Sequence, residues 1–578
     1  MFPKITTITL SSSQKITVSQ GVTAVVGPNN VGKSLLLNEL NRWIFQGRPG
    51  PMVPRQLVLR DVETTALGPM PEFLQWLKTR TTYRNAGNYP QGQFPENHFL
   101  LANNAIILAQ NVSGYLNTQA TFGSLAPIYV LYIPPGGTKD YGNSSAMFNL
   151  MTEQPQNPLQ RLYANRELQA GISASTERAF GFPLTVNRYG GSEITAHLGT
   201  VRSAETPPPA SAEYLSEIMK LPQVREQGDG VRAFIGMLLA IATTDYSLLL
   251  IDEPETFLHP PQAYLLGQIL AEQHHRSTQV IIATHSSDVI RGLTSTRASS
   301  FPLSIVRLTR SGSANHVNQI PADAMRALYD DPLIEYYSIL DGLFFHGVVL
   351  CEGDSDCTYY RAVLDTIDIS TSNLPATSAI DLHFTHCGGK ARLAKAITAL
   401  RMASVPVACI VDFDFLQNET EFNDVIRACG GDMAAFRSFR NDIVASITAR
   451  DTKLRRATAK ADVIRIFDER ASDEVSAKEM RRIGEALKPR TGWREAKLVG
   501  KNMLSGQARS SFDTLNARLH ELGVFIVEMG ELERFHPDVQ QGNKAEWLHI
   551  VLEKKLYAQS PNAAKLMQLV ASGILARQ

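Results

Sequence analysis

A strand–loop–helix pattern near the amino terminus constrains the fold of this chain more than any other feature of the sequence. Residues 27–34 read Gly-Pro-Asn-Asn-Val-Gly-Lys-Ser, which has the spacing G-x-x-x-x-G-K-S. The apolar run at residues 22–26 predicts a buried strand before this loop, and the leucine-rich run after it predicts a helix. Backbone N–H groups in such a loop, together with the positive end of the helix, bind phosphate groups. The residues predicted to form the phosphate site are Gly27, Asn30, Gly32, Lys33 and Ser34.

Lys33 and Ser34 have separate predicted roles in this loop. The ammonium of Lys33 would bridge the β- and γ-phosphate oxygens of ATP, and the hydroxyl of Ser34 would ligate Mg²⁺. We therefore expect a nucleotide-binding α/β domain with ATP and Mg²⁺ as cofactors.

Two later apolar runs also end in polar residues that suit ATP hydrolysis. The run that begins at Leu248 ends in Asp252 and Glu253. Asp252 would hold Mg²⁺ through water, and Glu253 would polarise the water that attacks the γ-phosphate. A second run, from Val280, ends in Thr-His, which predicts that His285 senses the γ-phosphate. The alternatives are an ordinary core strand that leads into a helix and a structural histidine.

The order of these motifs resembles the ATPase head of the ABC class, in the branch that includes the SMC and Rad50 proteins. In that class a Ser/Gly-rich signature before the Asp-Glu strand contacts the γ-phosphate held by a second protomer. Residues 227–232, Gln-Gly-Asp-Gly-Val-Arg, occupy that place and depart from the usual Leu-Ser-Gly-Gly-Gln wording. The resemblance implies that Gly228 and Gly230 complete a dimeric ATP site. A simple helix-capping turn is the alternative.

Length and composition indicate two or three globular domains. The chain has 578 residues, of which 44% are hydrophobic and 19% are charged, so each domain can bury a normal core. No apolar run approaches the roughly 20 residues that a membrane helix needs. Because residues 1–7 lack the basic and apolar regions of a signal peptide, we expect a cytoplasmic protein. The five cysteines contain no C-x-x-C pair, which argues against structural zinc or a disulfide framework.

Charge is balanced over the chain but concentrated in one stretch. The 56 basic and 56 acidic residues give a formal net charge of zero, so DNA binding would have to depend on a local patch. From Arg437 to Lys501 there are 17 basic and 10 acidic residues. This stretch is either a surface for DNA phosphates or a solvated helical insert of mixed charge.

The two parts of the predicted ATPase head are far apart in sequence. Residues 46–215, between them, are rich in Pro, Gly, Asn and Ser. We interpret this range largely as an insertion with a role in dimerisation, interrupted by a head strand at residues 128–133. The head as a whole is predicted over residues 1–325, and a helical linker over residues 326–345.

A second group of acidic residues follows apolar runs in the carboxyl-terminal half. One run ends in Glu352, and Asp356 follows four residues later. A later run ends in Asp412 and Asp414. Alternation along a strand end predicts that these two aspartates share one face, an arrangement that suits a hard divalent cation. Between the two runs, Gly-Gly-Lys at residues 388–390 predicts a turn between a strand and a helix.

Glu-Gly, a glycine turn and Asp-x-Asp, in this order, resemble the Toprim fold of topoisomerases, primases and certain nucleases. The resemblance implies a Rossmann-like domain in which four carboxylates hold Mg²⁺ or Mn²⁺. No nucleophilic tyrosine domain of a topoisomerase is identifiable, and a primase would not need an ABC-like head. The implied metal ligands are Glu352, Asp356, Asp412 and Asp414.

An ABC-type ATPase followed by a Toprim domain resembles the overcoming-lysogenization-defect (OLD) nuclease family. The family implies a metal-dependent, homo-oligomeric DNA endonuclease, often in bacterial anti-phage defence, including Gabija systems and some retrons. Candidate partners besides DNA are then a defence protein or a retron reverse transcriptase with its nucleic acid. Toprim nucleases of this family also use a late acidic residue and a lysine. These roles fall to Glu533, with Glu531 as its rival, and to Lys544, for which a surface lysine is the alternative.

The predicted architecture is α/β, with an ABC-type ATPase head that carries inserted segments, followed by a Toprim domain over residues 346–578. A helical, basic insertion is expected within that domain at residues 418–515. The predicted function is an ATP-binding, metal-dependent DNA endonuclease in which ATP gates cleavage. One alternative is a non-cleaving, SMC- or Rad50-like ATPase clamp or repair scaffold on DNA. Another is a defence sensor that cuts only with a neighbouring protein or RNA.

Overall fold

A computed structural model divides the chain into two compact units, residues 1–330 and residues 331–578. Much of the linker expected over residues 326–345 lies outside the described residues, because the description resumes at Ile339. The structure describes residues 4–46, 58–65, 69–87, 96–101, 106–116, 125–151, 153, 155–205, 210–243, 246–272, 278–295, 302–312, 314–320, 339–367, 381–451, 454–469, 474–487, 491–539 and 543–577.

The first unit combines one large sheet with three small antiparallel sheets in its described residues. Its strands are β1 (Ile5–Leu10), β2 (Lys15–Thr17), β3 (Val22–Val26), β4 (Leu59–Thr64), β5 (Thr82–Arg84), β6 (His98–Leu100), β7 (Ile106–Leu108), β8 (Val130–Ile133), β9 (Ser145–Ala146), β10 (Leu184–Asn187), β11 (Glu193–Leu198), β12 (Leu248–Asp252), β13 (Gln279–Ala283), β14 (Leu303–Ser311) and β15 (Ala314–Ile320).

Ten helices accompany these strands among the described residues. They are α1 (Lys33–Gln46), α2 (Met70–Arg80), α3 (Val112–Leu116), α4 (Ala126–Tyr129), α5 (Pro158–Ala164), α6 (Arg166–Phe180), α7 (Ala212–Lys220), α8 (Asp229–Thr243), α9 (Pro260–Glu272) and α10 (Ser287–Ser295).

The large sheet has the strand order β15-β14-β3-β13-β12-β8. All neighbouring strands in it are parallel except β14 and β15, which are antiparallel. Every residue of β3, β12 and β13 is buried, as expected for parallel strands that are covered on both faces. Because β13 lies between β3 and β12, the loops that follow these three strands meet at one edge of the sheet.

Parts of residues 46–215 are built into the sheets of the first unit. The head strand predicted at residues 128–133 is present as β8, which begins at Val130 after a helical turn and pairs with β12. In addition, β4 pairs with β1, with Val62 opposite Ile8. The range 46–215, which the sequence predicts to be largely an insertion, therefore contains at least two strands of the first unit. Its proline run at residues 207–209 lies outside the described residues.

The second unit is built on a four-stranded parallel sheet with the order β17-β16-β18-β19. Its strands are β16 (Gly347–Cys351), β17 (Leu382–His386), β18 (Val407–Val411) and β19 (Val524–Ile526). Its helices are α11 (Asp354–Leu364), α12 (Leu393–Met402), α13 (Glu419–Ala428), α14 (Ala434–Thr448), α15 (Arg456–Asp468), α16 (Ala477–Ala486), α17 (Gly492–Val499), α18 (Gly506–Leu522), α19 (Lys544–Glu553) and α20 (Pro561–Leu575).

Among the described residues between β18 and β19, six helices, α13 to α18, follow one another from Glu419 to Leu522. They lie in the segment for which the sequence predicts a helical insertion, residues 418–515. Arg440 of α14 ties this segment to the loop after β18, since its guanidinium donates to the carbonyl oxygens of Leu416 and Gln417, each at 3.0 Å. Among the helices of the described residues, none combines the length and the apolar character needed to cross a bilayer.

Candidate active sites

The loop between β3 and α1 has a backbone that only glycine can adopt at two positions. Gly27 and Gly32 have φ angles of 144° and 97°, in the region that disfavours side chains. A Cβ atom at Gly27 would lie 2.1 Å from the carbonyl oxygen of Leu308 on β14. Asn30 is also left-handed, with φ 61°. The glycines of the motif are therefore required by the fold of the loop as well as by phosphate binding.

Lys33 lies inside this loop. Its ammonium donates to the carbonyl oxygens of Gly27 and Pro28, both at 2.7 Å. Burial lowers the pKa of Lys33 to about 8, although nearby carboxylates, led by Glu253, oppose the shift. A buried ammonium held only by neutral carbonyls gains more from a charged phosphate oxygen. The loop therefore fits the triphosphate of a nucleotide.

Ser34 and Asp252 meet across the strand edge. The Ser34 hydroxyl donates to Asp252 Oδ1 at 3.0 Å, and Asp252 is only 2% exposed. Burial raises the pKa of Asp252 to about 6, although the hydrogen bond from Ser34 lowers it. A hydroxyl beside a buried carboxylate is an oxygen donor set that suits Mg²⁺, and the cation would favour the ionised form of Asp252.

Glu253 and His285 face each other beside this pair. Glu253 Oε1 lies 3.5 Å from His285 Nε2. Glu253 has a φ of 48°, which is strained for a side chain of its size, and its backbone N–H donates to the carbonyl oxygen of Ala283 at 2.8 Å. Burial lowers the pKa of His285, which favours the neutral ring. These predicted site residues thus come together at the edge formed by β3, β12 and β13.

Glu255 is a residue of this site that the motif analysis did not single out. Its half-buried carboxylate accepts hydrogen bonds from the Thr284 hydroxyl at 2.9 Å and from the backbone N–H of His285 at 2.7 Å. It thereby fixes the turn that carries His285. The sequence signal was a third carboxylate directly after Asp-Glu-Pro, but a surface turn explains that pattern equally well.

We expect Glu255→Ala to slow ATP hydrolysis at least about tenfold while ATP binding remains near normal. Two buried donors would lose their acceptor, which costs roughly 1–3 kcal/mol and frees the turn that carries His285. Steady-state hydrolysis and calorimetric ATP titration separate these effects. Glu272→Ala, which removes an exposed glutamate of α9, is the control. Equal hydrolysis rates in the two variants would show that Glu255 has no positioning role.

Gly228 and Gly230 lie at the start of α8. Gly228 is exposed, with open space where a Cβ would stand, whereas a Cβ at Gly230 would lie 2.7 Å from the carbonyl oxygen of Phe257. Arg232, one turn into the helix, pairs with Asp140 at 2.6 Å. The exposed start of α8 is compatible with a contact to a second protomer, and that role stays a prediction.

The second unit gathers carboxylates at the carboxyl ends of β16 and β18. Oxygen atoms of Glu352, Asp412 and Asp414 lie within 4.8 Å of one another. The predicted reason for their proximity is wrong in one detail. The strand ends at Val411, and the two aspartates belong to the 3₁₀ turn that follows, Phe413–Leu416 with Asp412 as its cap. The turn, rather than strand alternation, brings both side chains to Glu352.

Burial makes negative charge costly in this carboxylate cluster. It raises the pKa of Glu352, and it raises the pKa of Asp412 further, with Glu352 and Asp356 adding to the effect. Glu352 Oε1 also accepts the backbone N–H of Asp412 at 2.9 Å. Three clustered carboxylate groups are the ligands that hard divalent cations prefer, so the cluster fits the cation that a Toprim domain implies.

Two lysines hold the carboxylates in the structure. Lys390, from the turn after β17, lies 3.2 Å from Glu352 Oε1 and also binds Asp414 Oδ1. Lys497, from α17, lies 2.7 Å from Asp414 Oδ2. Burial raises the pKa of Asp414, but these hydrogen bonds outweigh it and leave that pKa below its ordinary value. The motif analysis placed Lys390 in a glycine turn but assigned neither lysine a role in the site.

Asp356 and Lys544 form a separate pair. Lys544 Nζ lies 3.0 Å from both carboxylate oxygens of Asp356. Burial lowers the pKa of Lys544, but the carboxylate of Asp356 outweighs burial and raises that pKa above its ordinary value. Glu533 is among the groups that add smaller increases. Glu531 instead pairs with Arg534 at 3.4 Å. Among the described residues, Asp356 and Glu533 thus stand outside the cluster of three carboxylates, and their role as metal ligands stays a prediction.

Two protein-family models each match a segment of the chain, one in each unit. A family described as an AAA domain, putative AbiEii toxin of a type IV toxin–antitoxin system, matches residues 217–291. The Toprim domain of proteins like the overcoming lysogenization defect protein matches residues 343–414. The fold and the two sites define an ATPase joined to a Toprim domain. This order of domains is that of an OLD-family ATPase–Toprim fusion, which confirms the predicted fold class and resemblance.

Solved structures with partial likeness include three SMC heads. An SMC head bound to the C-terminal winged-helix domain of ScpA has 12% identity and a TM-score of 0.33, over 56% of this chain and 100% of that one. The SMC head domain from Thermotoga maritima has 15% identity and a TM-score of 0.28, over 56% of this chain and 100% of that one. An SMC head with an extended coiled coil, bound to the C-terminal domain of ScpA derived from Pyrococcus furiosus, has 12% identity and a TM-score of 0.31. The match covers 57% of this chain and 99% of that one. No curated protein sequence matches the chain.

Proposed function

We propose that this protein is a divalent-metal-dependent DNA endonuclease whose activity is gated by ATP. The observation that carries the proposal is the carboxylate cluster of Glu352, Asp412 and Asp414 at the edge of an OLD-like Toprim sheet. The same chain contains the phosphate loop, Asp252 and Glu253 of an ATPase. A clamp or scaffold on DNA would need the ATPase residues but not the carboxylate cluster.

In cleavage at the carboxylate cluster, a few side chains would each have a separate role. A bound Mg²⁺ or Mn²⁺ would activate water and stabilise the leaving 3′ oxygen. Glu352 keeps the Asp412 backbone in place through its hydrogen bond, and Asp414 offers the most readily ionised carboxylate of the three. Lys544, held by Asp356, would neutralise charge that develops on a phosphate.

ATP hydrolysis would use the residues at the edge of the large sheet. Lys33 exchanges its two carbonyl partners for phosphate oxygens, and Ser34 and Asp252 hold the cation of the nucleotide. Glu253 takes the proton of the attacking water, and His285, 3.5 Å from it, contacts the γ-phosphate. Nucleotide binding at this site would set the arrangement of the ATPase heads and so control cleavage.

The partners we propose follow from the exposed features and from the family. The start of α8, at Gly228, would complete the ATP site of a second copy, which makes the active form a homodimer or a higher oligomer. DNA is the proposed substrate, and anti-phage defence in the cytoplasm is the proposed setting. A defence protein, or a retron reverse transcriptase with its nucleic acid, is the proposed additional partner of that setting.

Cleavage of a supercoiled plasmid tests the central claim. We expect nicked or linear product with Mg²⁺ or Mn²⁺, none with chelator, and a change in rate when ATP or a non-hydrolysable analogue is added. Intact plasmid in every metal and nucleotide condition, with DNA binding retained, would favour the clamp. Cleavage that begins only when a neighbouring protein or RNA is added would favour the sensor.

The exposed Arg455 and Arg456 at the start of α15 provide a second test. Cations at a helix N-terminus oppose the helix dipole, so changing both to glutamate should leave the helix at least as stable. The same change should weaken duplex binding, and each lost phosphate contact should lower the slope of log affinity against log salt by about 0.9. ATP titration and thermal melting control for folding. An unchanged slope would mean that this segment is only a solvated face.

A further inference from the structure

Lys497 places the helical insertion in direct contact with the carboxylate cluster. Its ammonium lies 2.7 Å from Asp414 Oδ2, and its side chain is 43% exposed. Lys390 holds the other oxygen of Asp414, is only 19% exposed and also contacts Glu352. Both carboxylate oxygens of one predicted metal ligand are therefore occupied by ammonium groups, and Lys497 is the more exposed of the two lysines.

The backbone around Lys497 is fixed by two close glycine contacts. A Cβ at Gly530 would lie 2.1 Å from the Lys497 carbonyl oxygen, and a Cβ at Gly500 would lie 2.1 Å from the Glu528 carbonyl oxygen. The carbonyl oxygen of Gly530 also accepts the backbone N–H of Phe413 at 2.8 Å. The end of α17 thus packs against Gly530, and Gly530 also holds the backbone of Phe413, which lies between Asp412 and Asp414. Lys497 is therefore positioned as part of the site.

A divalent cation on Asp414 would meet an ammonium group at each carboxylate oxygen, and the repulsion between these like charges favours the release of one ammonium. Lys390 has a second carboxylate partner in Glu352 and is the more buried lysine, whereas the only ion pair of Lys497 among the described residues is with Asp414. Lys497 is therefore the group released. A free ammonium beside a dication is repelled unless an anion lies between them, and the phosphates of bound DNA supply that anion.

We propose that Lys497 is a further residue of the cleavage site that binds a DNA phosphate next to the cut bond when a divalent cation occupies Asp414. The inference rests on the proposed nuclease function and assigns the helical insertion a direct part in it. In the absence of the cation, the same ammonium keeps Asp414 occupied. DNA contact by Lys497 and cation binding at Asp414 are therefore coupled.

Lys497→Gln is compared with Lys565→Gln as its control. Lys565 is an exposed lysine of α20 in the same unit and lies outside the basic stretch of residues 437–501. Affinity for a fluorescent duplex is measured over a range of salt, once in chelator and once in Ca²⁺, which takes oxygen ligands. In chelator we expect both variants to match the wild type within about twofold, because Asp414 retains Lys497.

In Ca²⁺ we expect Lys497→Gln to weaken binding about fivefold and to lower the salt slope by about 0.9, which corresponds to one lost phosphate contact. Lys565→Gln should change neither the affinity nor the slope, and Lys497→Arg should retain the slope. Without DNA, Lys497→Gln should bind Mn²⁺ more tightly in calorimetric titration, because a competing cation is gone. Equal salt slopes for Lys497→Gln and wild type in Ca²⁺ would overturn the inference, with or without a loss of thermal stability.

Wild-type plasmid cleavage, measured in parallel, keeps the two proposals separate. If the wild type cuts DNA and the Lys497 slope is unchanged, only the role of Lys497 is wrong. If the wild type binds DNA and never cuts, the nuclease function is wrong, whatever the slope shows.

Discussion

Replacement of Glu352 or Asp412 by alanine is expected to abolish DNA cleavage while ATP binding is retained. Each variant removes one of the three carboxylates that lie within 4.8 Å of one another. Because the bound cation both activates water and stabilises the leaving oxygen, we expect a loss of at least about 1,000-fold. Plasmid cleavage in Mg²⁺ or Mn²⁺ measures the loss, and calorimetric titration with ATP shows that the first unit is intact.

The two variants should differ in thermal stability. Burial raises the pKa of Asp412, and the carboxylates of Glu352 and Asp356 raise it further, so removal of Asp412 takes away a charge that the site disfavours. The melting temperature of the Asp412→Ala variant in chelator should therefore be unchanged or higher than that of the wild type. Glu352→Ala also removes the acceptor of the Asp412 backbone N–H, which costs about 1 kcal/mol. Asp424→Ala, which removes an exposed carboxylate paired with Arg427, is the control for both.

Metal addition makes the test decisive. After removal of the chelator, activity should return to the wild type and to Asp424→Ala with Mg²⁺ or Mn²⁺, and to neither cluster variant. If Glu352→Ala and Asp412→Ala both cut DNA at the wild-type rate, the Toprim cluster is not the catalytic centre. The non-cleaving clamp would then become the better reading of the chain.

Replacement of Lys33 by alanine is expected to reduce ATP affinity by at least about 100-fold. The cradle would lose the ammonium that now bridges the carbonyl oxygens of Gly27 and Pro28 and that would pair with phosphate oxygens, a charge-assisted contact. Isothermal titration measures the affinity. Lys15→Ala, which removes a lysine that is 61% exposed, is the control. Wild-type affinity in the Lys33 variant would contradict the assignment of the loop.

Glu253→Gln should separate ATP binding from ATP hydrolysis. The amide keeps the shape of the side chain but cannot take the proton of the attacking water, so hydrolysis should fall by roughly 10²–10⁴. ATP affinity should stay within about twofold of the wild type, because Lys33 and the loop amides are untouched. Hydrolysis at the wild-type rate would exclude Glu253 as the base and leave His285, 3.5 Å away, as the next candidate.

The structure also shows how far the motifs could be read from the sequence. The strand before the phosphate loop, the run ending in Asp252 and the run ending in Glu352 were predictable, since each is a buried parallel strand with an almost uninterrupted apolar sequence. The place of the helical segment between β18 and β19 also matches the expected range. The turn that carries Asp412 was misread as a strand end, because a 3₁₀ turn of alternating Asp and Phe has the same two-residue period as a strand.

By itself, the sequence determined which chemistry each half of this protein carries, because that chemistry depends on local motifs in which residues a few positions apart bind one phosphate or one cation. Only the tertiary structure decided which other side chains complete the sites. Lys390 comes from the turn after a neighbouring strand, Lys497 comes from a helix inserted between two strands, and Glu255 reaches the turn that carries His285. Such contacts depend on strand order and on close backbone packing, as between Gly500 and Glu528, and no spacing along the chain encodes them.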